Sequence, residues 1–164
     1  MTNSPGPQNR LYLALYIRDG VVPSLAAKED RHHWALLAIP SQSNRATRFH
    51  ARDFFSSPDQ THWLYEEIHV DANGTPKLLA QKFIGDIVDM DRLFEILRDV
   101  PLEQDTPGWN CVSWIRTALD AMAEDTEVLS NGSEVLSWTE LRDLALVAAD
   151  AEVARRDSAV KHHG

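Results

Sequence analysis

A change of hydrophobic period near Gly85 constrains this chain more than any other feature. Up to that point apolar residues alternate with polar ones, as β-strands require; beyond it they recur every three or four residues, as on one face of a helix. LYLALYIR (11–18) sets Leu11, Leu13, Leu15 and Ile17 against Tyr12, Ala14, Tyr16 and Arg18, a strand largely apolar on both faces. HHWALLAIP (32–40) is stopped by Pro40, and the short polar run after it leads to TRFHARDF (47–54), a spacing suited to a hairpin. HWLYEEIHV (62–70) and PKLLAQKFIGDI (76–87) flank a turn with Asn73-Gly74, which predicts that these two strands pair.

Past Gly85, Met90, Leu93, Phe94, Ile96, Leu97 and Val100 define a helix over about 89–99, closed by Pro101. Val112, Trp114, Ile115, Ala118, Leu119 and Met122 define a second, starting at Asn110 or Cys111. Ser137-Trp138-Thr139-Glu140 fits a capping box for a third, running to about Arg156. The expected fold is α+β: an antiparallel β-sheet packed against helices. Residues 10–157 form one domain, preceded by a disordered lead-in (1–9) and followed by a frayed tail (158–164).

The 164 residues are 43% hydrophobic, enough to bury roughly two thirds of the unfolded surface without metal or disulfide staples. A net charge of -9, with the sixteen Lys and Arg scattered, argues against nucleic acid as a partner. A single cysteine excludes an internal disulfide. With a polar N-terminal run and no apolar stretch near the roughly 20 residues of a membrane span, a cytoplasmic location is expected. There is no CxxC, HExxH or glycine-rich phosphate loop, so neither a metal nor a nucleotide cofactor is expected.

The chemistry-bearing residues are His33 at the start of a strand, His50 on the next, and Cys111 at the start of a helix. A helix-start cysteine meets unpaired amides and the positive end of the helix dipole, so a lowered thiol pKa is expected. An imidazole can take the thiol proton while a second polar group fixes its tautomer, which assigns His33 as base and His50 as orienting residue. An oxyanion would need two donors: the Cys111 amide and either the Tyr16 hydroxyl or the Asn110 side chain. Trp34 and Trp109 are candidate groove-lining residues, and Glu66, Glu67, Glu103 and Asp105 are expected to be solvated charges. Against this stands the common fate of a free cysteine among tryptophans, which is to fill core.

His33-Trp34-Ala35-Leu36-Leu37, then Arg48-Phe49-His50, then Asn110-Cys111 with Trp114 three residues on, resembles circularly permuted papain-like proteins, notably the lecithin:retinol acyltransferase-like and PPPDE-like groups. The resemblance implies a permuted papain-like fold with the nucleophile Cys111 at a helix N-terminus, His33 as base and His50 as orienting residue. It implies a cysteine-dependent hydrolase or acyltransferase acting on an amide, ester or thioester of a small-molecule or peptide substrate. The alternative is a binding module that keeps the fold without the reaction. The segment after Cys111, Val112-Ser113-Trp114, departs from the His-Phe of many acyltransferase-like relatives. Over residues 11–123 the HWAL, RFH, IG, ILR-x-VP and WNC-x-x-W segments also resemble a family of small, functionally uncharacterised proteins of filamentous fungi.

Overall fold

The structure is a computed structural model and describes residues 9–18, 28–57, 60–130 and 137–161. Five strands precede three helices, the order that the change of period predicts: β1 (Asn9–Ile17), β2 (His32–Ile39), β3 (Arg45–Ser57), β4 (Gln60–Asp71), β5 (Leu78–Ile87), α1 (Met90–Asp99), α2 (Cys111–Glu124) and α3 (Trp138–Lys161). The architecture is α+β, a five-stranded sheet in which every neighbouring pair is antiparallel. A 3-10 turn, Lys28–Arg31, leads into β2. Residues 1–8, most of the expected lead-in, lie outside the described residues, and α3 continues to Lys161, through part of the segment expected to fray.

The sheet order β4-β3-β2-β1-β5 corrects the expected pairing of β4 with β5. Those strands occupy opposite edges: β4 pairs with β3 along its length, and β5 with β1, Leu13 facing Lys82. The Asn73-Gly74 turn does form, with Gly74 at φ +89° and its amide bonded to Asp71 O, but it lies on a crossover between opposite edges, whose strands run in the same direction, rather than in a hairpin between neighbours. The seven Cα steps from Asp71 to Leu78 span at most about 25 Å fully extended. In a flat sheet the link would have to cross four strand spacings, about 19 Å, and most of a strand's length besides, because Asp71 lies opposite Arg45 at one end and Leu78 opposite Tyr16 at the other. Two tight turns shorten this link, so the sheet must curl to bring its edges together.

Alternation along the strands divides the side chains between two faces. Leu11, Leu13, Leu15, Trp34, Leu36, Phe49 and Ala51 face the helices and join Leu93, Leu97, Trp114, Ile115, Met122, Leu141 and Ala145 in the main core. Ala14, Tyr16, Ala35 and Leu37 form a second cluster on the other face. Cross-strand partners share a face, so Tyr16, opposite His33, and Glu66, opposite His50, put both histidines on that second face.

The start of α2 is fixed by its own sequence. Asn110 Oδ1 accepts from the Val112 and Ser113 amides at 2.9 and 3.4 Å, while Ser113 Oγ accepts from the Asn110 amide at 3.1 Å, a reciprocal cap. Asn110 Nδ2 donates to Asp30 Oδ1 at 2.8 Å, tying the helix start to the turn before β2.

Candidate active site

The N-terminus of α2, the start of β2 and the end of β1 meet at one end of the sheet. His33 Nε2 lies 2.7 Å from His50 Nδ1, and His50 Nε2 lies 2.9 Å from Glu66 Oε1. Arg52 Nε lies 2.7 Å from Glu66 Oε2. Burial pushes the Glu66 carboxyl up, but its bonds to His50 and Arg52 outweigh this and hold it below the ordinary carboxylate range. An ionised Glu66 can only accept, so His50 carries its proton on Nε2 and presents the Nδ1 lone pair. His33 must then donate from Nε2, which leaves its Nδ1 unprotonated. Glu66 is therefore part of the cluster, a correction to its expected place among solvated charges.

Cys111 is 2% exposed. Its thiol is met by main-chain hydrogen bonds from Trp34 and Val112; the Trp34 amide belongs to the peptide that joins Trp34 to His33. The structure thus brings His33 and His50 together on the second face of the sheet, while Cys111 packs in the main core on the helix face and meets β2 only through the Trp34 amide. Among the described residues no hydrogen bond joins the thiol to either imidazole. The expected lowering of the thiol pKa is reversed: burial raises it, and the Trp34 and Val112 amides with the Arg18 charge offset that only in part. Dipole and caps are readable from position; the dry surroundings are not.

Three of the helix's first four amides are satisfied: Val112 and Ser113 by the Asn110 side chain, Trp114 by Asn110 O. The Cys111 N–H has no acceptor among the described residues, so it is a ready oxyanion donor. Of the two candidates for the second donor, the Asn110 amide is engaged with α2 and Asp30. The Tyr16 hydroxyl is buried toward Arg48, whose guanidinium sits 5.2 Å from the ring centre. The Trp34 side chain is core: it is fully buried, donates from Nε1 to Glu29 O at 2.7 Å, and packs 5.3 Å from Trp138. Trp109 does line a cleft, edge-on to Trp63 at 5.5 Å.

That cleft, about 480 Å³ and open to solvent, runs past Asn110, with Arg18, Asp53 and Asp105 also on its walls. Arg18 stands between it and an apolar hollow of about 390 Å³ bounded by Ile17, His32, Leu79 and Val153. Among the described residues no cluster of histidine, cysteine and carboxylate side chains is arranged to hold a metal ion. No helix among them is long and apolar enough to cross a membrane.

Burial lowers the pKa of His32, His33 and His50; for His33 the nearby His50, Arg48 and Arg18 add to it and the value falls to about 3. A base whose folded pKa is depressed stabilises the fold above its unfolded pKa, and that stability is lost as pH falls below about 6.5. The carboxylates held low, Glu66 among them, begin to titrate only below about 4.5. Denaturation at pH 7.5 and pH 5 should therefore show a loss from the histidines alone, up to ~1.4 kcal/mol per pH unit for each. A flat profile over that interval would mean the rings are not neutral and buried.

The fold and this end of the sheet define a class: α+β proteins in which a capped helix presents a cysteine to the start of a central antiparallel strand. Within that class the chain belongs to the family of unknown function DUF6914, which matches residues 8–159. No curated protein and no solved structure matches it.

Proposed function

We propose that the protein is a cysteine-dependent hydrolase or acyltransferase acting on an amide, ester or thioester. The observation that carries this reading is the Glu66–His50–His33 relay, whose tautomers leave His33 Nδ1 unprotonated at the end of the sheet where the next residue, Trp34, gives its main-chain N–H to the Cys111 sulfur from the other face. The sulfur attacks the acyl carbon as its proton passes through water at the end of the sheet to His33 Nδ1 on the other face, and the carbonyl oxygen takes the negative charge against the Cys111 N–H. The proton then leaves with the alcohol, amine or thiol as the carbon–leaving-group bond breaks. Water or an amine attacks the resulting thioester, gives a proton to the same nitrogen, and releases the product as Cys111 regains its thiol.

Because burial raises the thiol pKa and lowers that of His33, the resting pair is thiol and neutral imidazole, not thiolate and imidazolium. Charge separation has to develop during attack, so reactivity depends on the acyl group displacing water from the cleft.

The same two shifts favour a second reading, a binding module whose buried thiol does no chemistry. Incubation with a panel of thioester and activated-ester probes, followed by intact mass measurement, separates the two. A mass increase of one acyl group, absent in Cys111→Ser, is the expected result. Saturable binding of such compounds with no covalent addition would favour the module and sink the enzymatic reading.

A further inference from the structure

Arg18 lies just past the end of β1, and its Nη1 donates to Asp30 O at 3.0 Å. Asp30 also accepts from Asn110 Nδ2 at 2.8 Å, so a single residue positions both this guanidinium and the residue preceding Cys111. Arg18 and Asn110 share the wall of the 480 Å³ cleft. Among the described residues no carboxylate pairs with Arg18, whose described bond uses one of its five N–H donors on a main-chain oxygen. A partly buried guanidinium with a free fork at a cleft wall is suited to bidentate capture of a carboxylate.

The remaining charges limit what that anion can be. Asp53 and Asp105 line the same cleft, yet the nearby charges that act on the Cys111 thiol are those of Arg18 and Asp30. Arg18 therefore stands at the sulfur end beside Asp30, whose Oδ1 is taken up by Asn110 Nδ2, while Asp53 and Asp105 line the rest of the cleft with Trp63 and Trp109 as apolar wall. A polyanion would meet Asp53 and Asp105; a compound with one negative charge close to its reacting carbon would not.

We propose that Arg18 is the specificity residue of this cleft and selects acyl compounds that carry one carboxylate next to the reacting carbonyl. This rests on the cleft being the approach to Cys111, as in the proposed function, and extends that function to a substrate class.

Iodoacetate and iodoacetamide differ little in size but by one negative charge, and Cys111, the sole cysteine, reports on both by mass. Their alkylation rates are compared in the wild-type chain, Arg18→Gln and Arg18→Lys at one pH and ionic strength, with thermal melts to verify folding. The iodoacetate-to-iodoacetamide rate ratio should fall about tenfold in Arg18→Gln, be partly kept in Arg18→Lys, and weaken with salt in the wild type. An unchanged ratio overturns the proposal. So does an equal fall with both reagents, which would place the effect of Arg18 on the thiol and not on the incoming anion. Failure of both reagents on the folded wild type would show that the cleft does not open onto the sulfur, and would overturn this proposal together with the enzymatic reading. A charge-dependent ratio without acylation by any probe would remove the enzymatic reading alone.

Discussion

His33→Ala should slow acylation of Cys111 by a thioester probe about 10²–10⁴-fold near neutral pH, the usual contribution of a positioned general base. The loss should shrink as pH rises toward the raised pKa of the thiol, because hydroxide then generates the thiolate that His33 otherwise helps to form. Added imidazole should restore part of the rate by occupying the vacated space. His50→Ala should cost less, since His50 acts only through the tautomer of His33, with which it shares a 2.7 Å hydrogen bond. Stopped-flow or quenched mass measurements across pH would read both variants. Equal acylation rates in wild type and His33→Ala would remove His33 from the reaction.

The second large effect is on stability. Trp34→Ala should cost about 3–5 kcal/mol, the range for removing a large aromatic side chain from a core. Its ring is fully buried against Trp138, and its indole N–H holds the carbonyl of Glu29 in the turn that also contains Asp30. Since a domain of ordinary stability has only about 5–15 kcal/mol in total, the variant should unfold at far lower denaturant with an unchanged slope. Trp109→Ala is the control: its ring stands on the cleft wall, and its removal should shift the midpoint much less. A shift below about 1 kcal/mol for Trp34→Ala would show that the turn before β2 is held by something other than this side chain.

The elements of this fold were legible because alternation and helical spacing are local properties. LYLALYIR and HHWALLAIP became β1 and β2 to within two residues, and the cap at Asn110 placed α2. Strand partners were less legible. Asn73-Gly74 signals a reversal, but turn chemistry does not say which strand waits on the other side, and here it was β1 that took β5. The same limit hid Glu66. In HWLYEEIHV it is one of two adjacent acids, and only the β3–β4 register sets it opposite His50 while Glu67 turns to the helix side and binds Arg98. Arg18 carries no signal in the sequence because no spacing there brings it to Asp30. For Cys111 the helix-start position could be read and its burial could not, and burial decided the direction of its pKa.

One consequence of the strand order concerns the time course of folding. β1 is the first strand made, yet Asn9 pairs with Ile87, so one side of β1 has no partner until nearly the whole sheet has been synthesised. Contacts of such long sequence separation close late because the loop entropy between them must be met first. During synthesis, β1 and β2 can join into a ribbon whose β1 edge, apolar on both faces, stays open. β5 is therefore both a structural strand and the cover for that edge, and a chain interrupted before Leu78 would be left as a sheet fragment prone to pair with its own copies.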